Sequence, residues 1–383
     1  MIKFLSSVLK PRVLAVLFST LLGLTSLEVG LRFFGPFERA GKSPDNILWQ
    51  PDEEIGFAPA ADLDAILSSN EWLNEVRTNE FGFRISNASS PSVDSSLDTI
   101  MFLGDSQTMA TQVAAESTYV SIIGRELARK GHPMRVINAG CNGFNTVQEY
   151  LFFKKLYDHG FRPKVVVVFA VNNDLFEDVP GLPYGRYYLD SKGYVVGTPP
   201  DPQRLALLRK AKEMPPPQAN GWLVQSALLR HLRYYYRTIR NPHDVAGWVK
   251  DIYLRDDVDP SPKERWAVAT AAIRSLNRLV SSYGGMVIVA VNPDPVEWSD
   301  EYYGRLNSLI PELAGKIDRL KIQKGYRRVA EKVGVEFIDM LKDFPAISVR
   351  EFRFAMDPHA NISGHRIIAS QMLKGFERLG WFK

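Results

Sequence analysis

The sequence predicts an α/β fold built on a central parallel sheet and preceded by a membrane helix at the N-terminus. Three observations predict it. Strand-like and helix-like stretches alternate from Thr99 to Leu379, the order that builds a parallel sheet covered by helices. One of those strands, Lys164 to Ala170, contains the unbroken run Val165-Val166-Val167-Val168-Phe169, as expected of a strand buried on both faces. Upstream, the uncharged run Val13 to Leu27 follows Lys3, Lys10 and Arg12, the charge pattern of a segment that enters a membrane with its N-terminus inside.

The 383 residues, 45% hydrophobic and 23% charged, suffice for one large domain or two small ones. The formal charge of +4 is too small to point to nucleic acid. A single cysteine, Cys141, excludes an intramolecular disulfide and any multi-cysteine metal site. No glycine-rich phosphate loop is present.

Residues 1–36 are read as a cytoplasmic N-terminus and membrane anchor. The anchor reaches the about 20 residues of a span only by including Glu28, placed at the outer interface and paired with Arg32. No small-x-small site closes the apolar run, which favours an uncleaved anchor over a cleaved signal peptide; a buried amphipathic helix is the third reading. Everything downstream is then extracytoplasmic, in a bacterial periplasm or at a cell surface. Residues 37–97, which include Thr78-Asn79-Glu80-Phe81-Gly82-Phe83-Arg84 and the serine-rich stretch Ser86 to Ser96, read as an extended lead-in crossing the domain surface.

Residues 98–383 form the main domain. Ile100 to Leu103 is its first strand, followed by helix Thr118 to Arg129, strand Arg135 to Ala139 and helix Thr146 to Tyr157. After Lys164 to Ala170 the alternation breaks over about 180–262, where Pro, Gly, Tyr, Arg and Lys dominate, and this stretch reads as an insertion. It holds the basic, aromatic run Arg230 to Arg240, either a solvated helix face or a surface for anionic polysaccharide, sugar rings or anionic lipid. Helix Glu264 to Tyr283, strand Met286 to Val291, helix Tyr302 to Val333, strand Val335 to Met340 and helix Ser363 to Leu379 complete the chain.

Four pieces fall at strand carboxyl ends or in the last loop, where an open α/β sheet places its site. Gly104-Asp105-Ser106 ends the first strand, so Ser106 stands where a nucleophile would; a plain N-cap is the alternative. Gly143 follows the second strand and can offer a backbone N–H to a reacting oxygen, or simply serve a turn that needs positive φ. Asn173, after the third strand, has an amide suited to an oxyanion or to capping the next turn. Near the C-terminus, Asp357-Pro358-His359 supplies an imidazole beside a carboxylate. A serine hydroxyl becomes nucleophilic when a neutral histidine takes its proton and a carboxylate fixes that ring's tautomer. No second histidine or carboxylate pair with ligand spacing accompanies them, which disfavours a metal. Cys141 reads as a small buried hydrophobe rather than a rival nucleophile, and His365 as structural.

The order and wording of these blocks resemble the SGNH (GDSL-type) hydrolases over roughly Thr99 to Lys374. The resemblance implies a three-layer α/β/α, flavodoxin-like domain. It also implies Ser106 as nucleophile, His359 as base, Asp357 as its partner, and an oxyanion hole of the Ser106 N–H, the Gly143 N–H and the Asn173 side chain. Asp105 and Asp174 are supporting residues. The third block has Val171 where the family usually has glycine, and only Pro358 separates Asp357 from His359 where two residues are usual; the short spacing is similar to that of exopolysaccharide-acetylation members. The lead-in and anchor are similar to those of membrane-tethered bacterial members associated with cell-surface glycans. The implied activity is serine-dependent hydrolysis of acyl esters, O-acetylated carbohydrate foremost. Transfer of the acyl group to a surface polysaccharide, with a membrane acyl-donor protein as partner, is the alternative, and a non-catalytic glycan-binding or assembly protein is the second. No cofactor is implied, because ester chemistry of this kind needs only protein groups.

Overall fold

A computed structural model describes residues 11–34, 45–69, 71–86, 97–177, 186–198, 200–213, 226, 228, 229, 232, 252–258, 263–355 and 357–381. The chain opens with helix α1 (Pro11–Phe34), then β1 (Trp49–Asp52), β2 (Gly56–Pro59), β3 (Asp64–Ser68), β4 (Leu73–Thr78) and β5 (Arg84–Ile85). The main alternation follows: β6 (Thr99–Gly104), α2 (Ser106–Met109), α3 (Tyr119–Arg129), β7 (Arg135–Gly140), α4 (Thr146–Asp158), β8 (Val165–Ala170) and α5 (Asn172–Glu177). Next come β9 (Arg186–Leu189), β10 (Val195–Thr198) and α6 (Pro202–Glu213). The last part is α7 (Lys263–Ser281), β11 (Met286–Val291), α8 (Pro295–Trp298), α9 (Asp300–Leu309), α10 (Lys321–Val333), β12 (Glu336–Ile338), α11 (Val349–Phe352) and α12 (Ile362–Arg378).

The main sheet runs β12-β11-β8-β6-β7-β5-β4-β3. Its first five strands are parallel, and β5, β4 and β3 continue it antiparallel. Counting the parallel strands in chain order gives 5-4-3-1-2, the doubly wound flavodoxin-like arrangement. Strand residues alternate between two cores. Met101, Leu103, Val166, Val168, Val287 and Val289 pack with residues of α4, α7 and α10. Ile100, Phe102, Val165, Val167, Ile288 and Ala290 pack with residues of α3 and α12. Both faces of the central strands are therefore buried, which explains their uninterrupted valine and isoleucine content.

Several expectations are corrected. The stretch read as a surface lead-in supplies three strands to the main sheet. Its turn chemistry belongs to a β-turn between strands: the Asn79 Oδ1 accepts the N–H groups of Phe81 and Phe83, at 3.1 and 2.9 Å. Gly82 takes φ +79° with Pro59 so close that a Cβ would lie 2.6 Å from the proline Cβ. Residues 87–96 of the serine-rich stretch lie outside the described residues. The expected helix Tyr302 to Val333 is two helices, because Pro311 starts a 3-10 turn after Ile310 and Gly315 follows with φ +72°.

Among the described residues no helix is long and apolar enough to cross a membrane. Glu28 lies within α1, leaving Val13 to Leu27 shorter than the about 20 residues of a span. The side chains of α1 are exposed at every described position from Val13 to Leu27. The Glu28 carboxylate accepts hydrogen bonds from the Ser226 hydroxyl (2.8 Å) and the Leu228 N–H (2.9 Å), while the side chain of Arg32, its expected partner, lies outside the described residues. Within the insertion, β9 and β10 form a separate antiparallel hairpin. Its Val195 N–H donates to the Ser275 Oγ on α7 at 2.8 Å. The run Arg230 to Arg240 lies, Leu232 excepted, outside the described residues.

Candidate active site

The order of the parallel strands reverses between β6 and β8, and the crevice at such a switch point is where an open α/β sheet binds its ligand. Ser106 follows the end of β6, and Asn173 follows the end of β8. The sharp turn out of β6 requires close packing. A Cβ on Gly104 would lie 2.1 Å from the Thr108 Oγ1, and one on Gly140, its partner across β7, 2.4 Å from the Met109 N. Only glycine at both positions lets α2 sit on the strand ends.

Asp105, rather than Ser106, caps α2: its Oδ1 accepts the Gln107 N–H at 2.8 Å. Ser106 is thereby the first helical residue, with its hydroxyl free to face the last loop. There the His359 Nε2 lies 2.8 Å from the Ser106 Oγ. The His359 Nδ1 is hydrogen-bonded to the Asp357 Oδ1, which also accepts the His359 backbone N–H at 3.0 Å. Because the carboxylate folds back onto its own loop, one intervening residue is enough to reach the ring. Burial disfavours a charge on Asp357, but the hydrogen bonds and charge of His359 and the Trp72 indole hold its carboxyl below the ordinary value. An ionised Asp357 fixes the proton on Nδ1 and leaves Nε2 as acceptor for the serine proton.

Two residues absent from the sequence prediction support this carboxylate. The Trp72 Nε1–H donates to the Asp357 Oδ2 at 2.9 Å. The Glu71 carboxylate accepts the Ala355 and Asp357 N–H groups, both at 2.8 Å, and so fastens the loop. Both come from the β3–β4 hairpin, about 285 positions upstream. A third residue, Arg84 on β5 at the end of the Thr78-to-Arg84 stretch, acts on the other side of the site. Its buried guanidinium donates to the carbonyls of Met109 (3.1 Å), Ala110 (2.8 Å) and Val113 (2.8 Å) at the exit of α2. Ala110 has φ +53°, a left-handed conformation unfavourable for a residue with a Cβ. Arg84 holds that turn in place, and burial lowers its pKa to about 10.

The remaining predicted residues are placed as follows. The Asn173 Nδ2 lies 3.5 Å from the Asp105 Oδ2, which is also 3.3 Å from the Ser106 Oγ. One amide proton faces Asp105, and the amide has a second for an oxyanion. Asp105 is buried and its pKa is raised, chiefly by desolvation. The Asp174 Oδ2 accepts the Val171 N–H at 2.7 Å and closes the turn after β8. Gly143 is exposed, with φ +78°, on the turn after β7. Both earlier readings of it are therefore compatible. Cys141 is buried, and desolvation pushes its thiol well above its ordinary value, opposite to what a thiolate nucleophile needs. His365 is buried on α12, where its Nδ1 accepts the Tyr119 N–H at 3.3 Å, and burial lowers its pKa to about 3. Among the described residues no three His, Cys, Asp or Glu side chains form a group that could hold a metal ion.

No protein-family model matches the chain, and no curated protein matches it. Among solved structures it is similar to TesA, with a TM-score of 0.39 and 11% identity over 74% of this chain and 99% of the other. A member of the lipolytic G-D-S-L family from Veillonella parvula gives 0.38 and 13% over 73% and 98%. A catalytic mutant of an acetylxylan esterase from Geobacillus stearothermophilus gives 0.35 and 12% over 74% and 96%. Overlaps this weak decide neither fold nor activity, which rest on the strand order and the side chains themselves.

Proposed function

We propose that the protein is an SGNH-type serine hydrolase that cleaves acyl esters, O-acetylated carbohydrate foremost. The observation that carries the reading is the hydrogen-bonded chain from Asp357 through His359 to Ser106 at the switch point of the sheet. The His359 Nε2 takes the Ser106 hydroxyl proton as the Oγ attacks the ester carbonyl. The carbonyl oxygen gains the negative charge, opposite the second Asn173 amide proton and the backbone N–H groups of Ser106 and Gly143. Collapse of this intermediate breaks the ester C–O bond, and the leaving alkoxide takes the proton from His359. An acceptor O–H then attacks the acyl-enzyme and gives its proton to His359; the acyl–Oγ bond breaks, and His359 returns that proton to the Ser106 Oγ. Water as acceptor yields free acid; a sugar hydroxyl yields a new ester. A non-catalytic binding role gives no reason to tie an imidazole to both a carboxylate and a serine.

In this proposal α1 attaches the protein to a membrane and the catalytic part lies outside the cytoplasm. The exposed apolar side chains of α1 support the attachment. A membrane acyl-donor protein would be a partner only in the transfer reaction. The test is acetate release from an O-acetylated oligosaccharide, with and without a deacetylated acceptor oligosaccharide. Release that requires Ser106 and His359 supports the proposal, and an acetylated acceptor selects transfer. No release and no transfer by the folded, full-length protein would refute it.

A further inference from the structure

Behind the catalytic carboxylate a cleft of about 720 Å³ opens between the β3–β4 hairpin, the loop after α2 and the start of α12. Trp72 is shared: its indole N–H holds Asp357, and the residue also lines the cleft. Gln112 lines it too, is only 5% exposed, and makes no hydrogen bond within the described residues; its Oε1 is fully enclosed. A buried amide without a partner is costly, by about 1 to 3 kcal/mol. Turning about its last side-chain bond, it can offer either oxygen or nitrogen to a ligand. The cleft also holds Arg350 and Arg366, both exposed and neither in an ion pair among the described residues. Its two carboxylates are engaged with backbone: Glu71 accepts the N–H groups of Ala355 and Asp357, and Glu351 that of Ser348.

We propose that this cleft is a subsite for an acidic saccharide chain, with a sugar hydroxyl on Gln112 and a sugar carboxylate on Arg350 and Arg366. The proposal rests on the hydrolase reading and names the class of its substrate. A hydroxyl supplies both the donor and the acceptor that a primary amide can use. A planar carboxylate matches the guanidinium fork. The anion would meet two unpaired guanidinium groups, whereas both nearby carboxylates already accept backbone hydrogens.

The test uses the full-length Ser106→Ala protein and titrates a deacetylated oligouronate and a neutral oligosaccharide of equal length by calorimetry. The oligouronate should bind, at least tenfold more tightly than the neutral chain and more weakly as salt rises. Arg350→Ala with Arg366→Ala should weaken that binding by about tenfold or more, the loss expected for charge-assisted hydrogen bonds. Gln112→Leu should weaken both saccharides; if it does not fold, the two exposed arginine positions still decide. Equal affinity for the two saccharides, no binding of the oligouronate, or binding unchanged in the arginine variants would overturn the proposal. Fluorophosphonate labelling of the wild-type protein separates the two failures. Labelling without saccharide binding refutes the subsite alone, whereas absent labelling refutes the hydrolase reading.

Discussion

The parallel strands β6 and β8 are buried at every residue, whereas β3 and β4 alternate buried or half-buried with exposed positions. The first pair ends in Gly104 and Ala170, two residues before Ser106 and three before Asn173, the proposed nucleophile and oxyanion donor. The second pair offers no reacting atom. Its hairpin and the adjoining β5 supply Glu71, Trp72 and Arg84, which brace the Asp357 loop and the exit of α2. One half of the sheet thus presents the chemistry and the other fixes its geometry, and the two should fail differently when altered.

The largest effects belong to the parallel half and the last loop. Ser106→Ala and His359→Ala should each lower ester turnover by about 10⁴ to 10⁶ with the fold intact; near-normal turnover by either would remove that residue from the mechanism. Asn173→Ala should cost about 10² to 10³ in turnover if its amide serves an oxyanion. Loss of the circular dichroism signal instead would make Asn173 a turn residue only.

The antiparallel half should show structural losses. Arg84→Ala removes the side-chain donor from three carbonyls, of which only Ala110 keeps a backbone partner among the described residues, the Val113 N–H, and should lower stability by about 2 to 4 kcal/mol, read from the denaturant midpoint. Arg84→Lys should not restore it, since one ammonium does not reproduce the fork. Unchanged stability would mean that the α2 exit needs no brace. Trp72→Phe removes one hydrogen bond to an ionised carboxylate and should reduce turnover by about tenfold, with little change in folding.

A pH effect completes the contrast. His365 has a folded pKa of about 3, below the ordinary value of 6.5. Its neutral form therefore stabilises the fold fully above about pH 6.5, and that contribution is lost as pH falls toward 3. The stability of the wild type should fall in this window by up to about 1.4 kcal/mol per pH unit from this group. His365→Gln, which keeps an acceptor for the Tyr119 N–H, should flatten the slope; an equal slope would assign the acid sensitivity elsewhere.

The parallel half was readable because its signals are local. A β-branched run, the glycines at strand ends and the Asp357-to-His359 spacing each state their structure within a few residues. The N-terminal strands are hard to read because polar or charged residues fill about half of β3 and β4, and β5 has two residues. Turn residues such as Asn79 and Gly82 then suggested an irregular segment. Trp72 was missed for a different reason, since nothing near it in sequence connects it to Asp357. Arg84 did carry a signal: an arginine ending an apolar stretch next to a strand must find partners, and here it found carbonyls. The break between α9 and α10 was also legible in Pro311 and Gly315, which helical spacing on either side obscured.

The account depends most on Ser106 being an activated nucleophile. Incubation of the full-length protein with a fluorophosphonate probe, followed by peptide mass spectrometry, tests this directly. The predicted result is one covalent adduct on Ser106, absent from Ser106→Ala and strongly reduced in His359→Ala. An unlabelled Ser106 in folded protein would contradict the account.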